Sequence, residues 1–138
     1  MLAQTITFLR YVVAFVWIYA GLVPKFVRTP ADEQLALEAL ISVQDAQQPF
    51  MMFLGGLEVS VGILLFVFYR SRALLLFAMT LCLVSIPTMA FVAPSMLTET
   101  FNPISTNLLL IAVMMVLYQD ARNQQVEPVD EEIAPEGK

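Results

Sequence analysis

The chain has 138 residues, a length that suits one compact domain. Hydrophobic residues make up 59% of it and charged residues only 14%, whereas about a quarter of the residues of an ordinary soluble domain are charged. Its net charge is -5, with no histidine and a single cysteine, Cys82. This composition is typical of an integral membrane protein. It excludes a His-ligated haem, a CxxC redox pair and a thiolate metal cluster within the chain, and it leaves no basic surface for nucleic acid.

Four apolar segments are long enough to cross a bilayer as helices: about 5–23, 50–68, 73–93 and 103–118. At a rise of ~1.5 Å per residue, 19 residues span about 28 Å, close to the thickness of the hydrocarbon core. A secretory signal peptide is the competing interpretation of the first segment. A retained span is favoured because no lysine or arginine precedes Arg10 and no A-x-A cleavage site precedes Pro24. The sequence therefore predicts an all-α fold, a four-helix transmembrane bundle.

The connection between the first and second spans has an amphipathic pattern. Thr29 suits a helix cap, and Leu37 and Ile41 fall on one side of the helix while Glu38 and Asp45 fall on another. We expect an interfacial helix at about 30–45 that lies along the membrane surface or covers the mouth of the bundle.

The third span follows a turn of four residues, Tyr69 to Arg72, so short that the second and third spans should be antiparallel neighbours. This third span contains Pro87, which removes a backbone hydrogen bond and is expected to kink the helix. Ser85 and Thr88 flank the proline and are placed to bond the carbonyl that it frees.

Asn102 and Pro103 form a cap and first-turn pair that predicts the start of the fourth helix. Six of the twelve acidic residues lie within 120–138, which is predicted to be a disordered acidic tail. The predicted domain organisation is thus a membrane domain, 1–119, followed by this tail.

An even number of spans puts both termini on one side of the membrane. Arg70, Arg72 and Arg122 fall on that side, against Lys25 and Arg28 on the other. The positive-inside rule then predicts cytoplasmic termini, and we expect the membrane to be a bacterial plasma membrane.

Glu58 lies near the middle of the second span, where an acid costs roughly 2.5 to 3.5 kcal/mol on insertion scales. Its side chain is therefore expected to face protein or water. Four small residues surround it, Gly55, Gly56, Ser60 and Gly62. The spacing of Gly56 and Ser60 puts both on one face, which predicts close packing of that face against another span.

Polar or amphipathic side chains from all four helices are expected at one depth in the outer half of the bundle. They are Trp17, Tyr19, Lys25, Glu58, Ser85, Thr88 and Asn107. Two interpretations stay open: a pocket around Glu58 that binds a ligand or carries protons, or a structural polar network that holds the helices in register.

Three segments of the sequence resemble the DoxX-like family of small membrane proteins: WIYAGLVPKF at 17–26, GGLEVSVGILL at 55–65 and FNPISTNLLL at 101–110. The resemblance implies a four-helix membrane protein, in some relatives a subunit of thiosulfate:quinone oxidoreductase or a partner in membrane-linked redox and oxidative-stress assemblies. The family-like positions are Gly21, Pro24, Lys25, Glu58, Asn102, Pro103 and Asn107.

The first functional hypothesis is an accessory subunit of a quinone-linked redox system, which is not an enzyme on its own. The chain is expected to hold no cofactor except a quinone as ligand, and to work in the bilayer with a redox-enzyme subunit or a second copy of itself. A proton-coupled transporter or channel with Glu58 on its path is the second hypothesis. The third is a scaffold or assembly factor in which the polar network is purely structural.

Overall fold

The computed structural model of the chain describes residues 2–27, 37–38, 41, 44–92, 94 and 102–124. Within these residues it has four long helices: α1 (Leu2–Leu22), α2 (Gln44–Val67), α3 (Arg72–Val92) and α4 (Pro103–Asn123). A π-helical segment, Val23–Val27, continues α1. Each long helix is long and apolar enough to cross a membrane. The chain is a multi-pass membrane protein with an all-α four-helix bundle, as the sequence predicted.

Two helices extend beyond the predicted spans into polar sequence. The second helix begins at Gln44 and has Pro49 inside it, so the last residues of the predicted interfacial helix belong to α2. The fourth continues to Asn123, where the Gln124 side chain donates a hydrogen bond to Asp120 Oδ2 at 2.8 Å. Leu37 and Glu38 are helical, but most of the predicted helix at 30–45 and residues 125–138 of the predicted tail lie outside the described residues.

The starts of α3 and α4 follow from local capping. Asn102 Oδ1 accepts a hydrogen bond from Ser105 N at 2.8 Å, and Pro103 occupies the first turn, which confirms the predicted start of α4. At α3, Ser71 Oγ accepts a hydrogen bond from Leu74 N at 3.4 Å.

The bundle is built from two helix pairs. α1 packs along α2 and α3 packs along α4, while α1 and α4 bring the pairs together. The second and third spans were predicted to be antiparallel neighbours; α2 and α3 do touch, but they make few contacts and each packs mainly along another helix. A short turn reverses the chain direction, but side-chain complementarity decides which helices pack.

The core between the pairs contains residues from all four helices. Its most deeply buried large side chains are Val13, Val61, Leu75 and Met114. Large apolar side chains also cover the outside of the helices; Phe53 is 66% exposed and Phe91 is 90% exposed. Such an apolar exterior suits helices that face lipid.

Candidate functional site

Lys25 reaches the bundle from the π-helical segment that ends α1. Pro24 has no N–H to donate to the carbonyl of Ala20, four residues earlier in the chain. The Lys25 ammonium donates to that carbonyl at 3.4 Å and to Glu58 Oε2 at 2.6 Å. The missing N–H of Pro24 leaves the Ala20 carbonyl free to accept from Lys25. The Lys25 side chain therefore points back along its own helix, and its ammonium reaches Glu58 on α2.

Two glycines allow α1 and α2 to approach closely at this ion pair. A Cβ at Gly21 would lie 2.6 Å from the Gly55 carbonyl oxygen and 2.8 Å from Glu58 Cβ. A Cβ at Gly55 would lie 2.7 Å from the Gly21 carbonyl oxygen and 3.0 Å from Lys25 Cβ. Neither site accommodates a side chain without separating the helices, so Gly21 and Gly55 set the distance at which Lys25 meets Glu58.

The small-residue face predicted from Gly56 and Ser60 is not the packed one. A Cβ at Gly56 would have no heavy atom within 4 Å. Ser60 is exposed, and its hydroxyl donates back to the Gly56 carbonyl of its own helix at 2.7 Å. Gly62 takes the predicted role instead, because a Cβ there would lie 2.9 Å from the backbone nitrogen of Ile18. Close packing thus occurs on the face that carries Gly55 and Gly62.

The ion pair lies inside two helices that could span a membrane, and its two members differ in accessibility. The Lys25 side chain is 9% exposed and that of Glu58 is 28% exposed. Each charge offsets the cost of removing the other from water. The remaining exposure of Glu58 leaves room for a second group to hydrogen-bond to its carboxylate, so the site can both donate from Lys25 and accept at Glu58.

A second polar contact joins α3 and α4. Asn107 Nδ2 donates to Ser85 Oγ at 2.6 Å, and Ser85 Oγ donates to the Cys82 carbonyl at 2.9 Å. Thr88 Oγ1 donates to the Val84 carbonyl at 2.8 Å. Pro87 frees the Leu83 carbonyl, so the two hydroxyls bond its neighbours rather than the group they were predicted to satisfy.

The predicted convergence of all four helices is thus divided into two contacts. Within the part of the chain that the structure describes, no hydrogen bond or ion pair joins Lys25 and Glu58 to Ser85 and Asn107. Each contact ties together the two helices of one pair.

The DoxX-like family model matches residues 14–115, which include both contacts. The chain belongs to the DoxX-like family. No curated protein matches it, and no solved structure matches it either. In this DoxX-like chain the matched segment contains Gly21, Pro24, Lys25 and Glu58, the residues whose geometry produces the ion pair.

Trp17 and Tyr19, the other predicted members of the pocket, have opposite environments. Trp17 is 6% exposed and packs in the core, where its Nε1 has no hydrogen-bond partner among the described residues. Tyr19 is 52% exposed, and its ring lies 5.9 Å from that of Phe15. The described contacts do not bring Tyr19 to the ion pair, and the ligand pocket of this DoxX-like protein stays a prediction.

Sequence reasoning missed two parts of the site. It treated Gly21 and Pro24 only as family-like positions, although Gly21 makes the close approach and Pro24 frees the carbonyl that Lys25 bonds. A signal existed for both, since small residues mark the close packing of membrane helices and a proline interrupts helical hydrogen bonding. Among the described residues, no group of three His, Cys, Asp or Glu side chains could hold a metal ion.

Proposed function

We propose that this DoxX-like protein is an accessory membrane subunit of a quinone-linked redox system, and that Lys25 and Glu58 form its polar site. The observation that carries the proposal is an intramembrane acid paired with a lysine at 2.6 Å that still keeps 28% of its side chain exposed. Ionisable residues within membrane spans are rare, and most mark a ligand or proton pathway.

The chemistry of the pair suits a quinone headgroup. An ammonium donates hydrogen bonds to carbonyl oxygens, and a carboxylate accepts them from hydroxyls. Lys25 would therefore bind a carbonyl of the quinone, and Glu58 would bind a hydroxyl of the quinol. Reduction of a quinone takes up two electrons and two protons. In this proposal the electrons come from a partner oxidoreductase, and Glu58 exchanges the protons with water.

A membrane scaffold or assembly factor is the second candidate. The same 2.6 Å contact neutralises both charges, and the glycine contacts beside it fix the distance between α1 and α2. Such a pair holds two helices in register without any ligand. Under this alternative, Glu58 matters for packing and the surfaces that partners touch carry the function.

Quinone binding can be tested with the chain's own fluorophore, because Trp17 is its only tryptophan and lies in the core. Decylubiquinol and a short-chain menaquinol, the reduced forms that carry the hydroxyls, would be titrated into the purified chain in detergent while Trp17 fluorescence is recorded. We expect saturable quenching. Glu58→Gln should weaken binding of the quinol about ten-fold or more, since a hydrogen bond to a charged group contributes about 1.5 to 3 kcal/mol. Ser60→Ala, on an exposed part of the same helix, is the matched control and should bind normally.

The two candidates give different results in one further experiment. The wild type and Glu58→Gln would each be purified from native membranes in mild detergent, and the copurifying proteins identified by mass spectrometry. The redox proposal expects an oxidoreductase to copurify with both proteins, and quinol binding to be weakened only in the variant. Unsaturable quenching of the wild type and no copurifying oxidoreductase would contradict it. If Glu58→Gln fails to fold and its partner proteins no longer copurify, the scaffold candidate is favoured.

A further inference from the structure

A cluster of cations and aromatic rings lies at the end of the bundle where the chain turns from α2 to α3. The Arg10 guanidinium carbon is 4.3 Å from the centre of the Tyr69 ring, 5.2 Å from that of Tyr11 and 5.4 Å from that of Phe66. Arg10 Nε also donates to the Phe66 carbonyl at 3.1 Å. Three rings and one carbonyl therefore hold the guanidinium in place.

A second guanidinium shares the central ring of this cluster. The Arg70 guanidinium carbon lies 5.4 Å from the centre of the Tyr69 ring, and the Arg70 side chain is exposed. Among the described residues the ion pair between Lys25 and Glu58 stands alone, so no described carboxylate neutralises Arg10 or Arg70. Helix α3 also begins here, at Arg72, and the N–H groups of a first helical turn favour an anion.

The donors of Arg10 are only partly used. An arginine has five N–H groups, and the Phe66 carbonyl accepts from Nε alone. Within the described ranges no acceptor bonds its two terminal nitrogens, which form a fork that matches the oxygens of a phosphate. Because the rings already fix the guanidinium, binding would cost little side-chain entropy.

We infer that Arg10, Tyr69 and Arg70 form a binding site for the phosphate of an anionic phospholipid headgroup. The position of the site favours a lipid phosphate as the ligand. Helix α2 ends at Val67, and the polar turn after it lies where a span leaves the hydrocarbon core. Basic residues at this level attract anionic lipids, and tyrosine rings are enriched there. This site is separate from the pair formed by Lys25 and Glu58 and does not depend on the redox proposal.

Native mass spectrometry of the full chain tests the site. The protein in detergent would be titrated with phosphatidylglycerol and, separately, with phosphatidylcholine of the same chain length. We expect phosphatidylglycerol to bind in preference. Arg70→Gln should weaken it about ten-fold, because a specific hydrogen bond from the guanidinium to the charged phosphate is lost. Arg122→Gln is the matched control: it removes an exposed arginine at the same end of the bundle, in the last turn of α4, and should leave binding unchanged.

Other ligands are distinguished by further arms of the same experiment. Arg10→Gln should weaken binding more than Arg70→Gln. If Arg10→Gln does not fold, Tyr69→Leu replaces it: it removes the ring that both guanidinium groups contact and should also weaken binding. Displacement of phosphatidylglycerol by millimolar inorganic phosphate would assign the site to free phosphate and overturn the proposal. Equal losses in Arg70→Gln and Arg122→Gln would reduce the site to general surface charge.

Discussion

Lys25 and Glu58 each offset the free-energy cost of the other's charge inside the membrane. Replacing one of them should therefore destabilise the protein more than replacing both. Lys25→Met leaves the Glu58 carboxylate without its partner, and breaking a buried pair costs about 3 to 5 kcal/mol. Glu58 is 28% exposed, which reduces the expected loss below that range. The double variant, Lys25→Met with Glu58→Gln, removes the unpaired charge and should recover much of the stability. Thermal unfolding in detergent, followed by Trp17 fluorescence, measures each change.

The double-variant result separates coupling from two independent losses. If the destabilisations of Lys25→Met and Glu58→Gln simply add in the double variant, the 2.6 Å contact contributes nothing to the stability of the bundle. Recovery in the double variant would show that the two charges interact directly.

Asn107 and Ser85 offer a milder contact of the same kind between α3 and α4. Asn107→Leu removes the 2.6 Å hydrogen bond to Ser85 Oγ. Hydrogen bonds between membrane helices contribute about 0.6 kcal/mol on average and up to about 1.7. We therefore expect a smaller loss than for Lys25→Met, measured by the same unfolding assay. Ser85→Ala should produce no further loss in the Asn107→Leu background, and additive losses would contradict a direct contact.

At the scale of the helix, the adjacent glycines Gly55 and Gly56 allow a matched comparison of one substitution. Gly55→Ala puts a methyl group 2.7 Å from the Gly21 carbonyl oxygen and should push α1 away from α2, which also separates Lys25 from Glu58. Gly56→Ala meets nothing within 4 Å and should be neutral or stabilising by up to about 1 kcal/mol. Unfolding temperature measures the difference, and similar effects of the two variants would contradict the described packing.

The same glycines show what the sequence could and could not predict about these helices. Four spans, the cap at Asn102 and the approach of Lys25 to Glu58 all follow from local pattern and helical rise. Spacing alone places Gly56 and Ser60 on a common face, but it does not say which face meets the neighbouring helix. That choice depends on Gly21 of the partner helix, whose backbone lies against Gly55 and not against Gly56.

For the whole molecule, the arrangement of the helices was harder to predict than their number. The common depth of polar groups in the four spans suggested that they would converge, whereas the structure pairs α1 with α2 and α3 with α4. Packing of apolar side chains sets this arrangement, and residues such as Val13, Val61, Leu75 and Met114 look alike in the sequence whichever partners they meet. The ligand and the partner subunit proposed for Lys25 and Glu58 lie outside this chain, so local sequence patterns do not describe them.

Four spans also predict on which side of the membrane each connection lies. Single cysteines would replace Arg70, Gln124 or Glu38 in a Cys82→Ala background and be labelled with a membrane-impermeant maleimide in vesicles of known orientation. The turn after α2 and the end of α4 are separated by two spans, so cysteines at Arg70 and Gln124 should react from the same side. A cysteine at Glu38, between α1 and α2, should react from the opposite side. The basic residues Arg70, Arg72 and Arg122 predict that the first side is cytoplasmic. Labelling of Arg70→Cys and Gln124→Cys from opposite sides would mean that α3 or α4 does not cross the membrane.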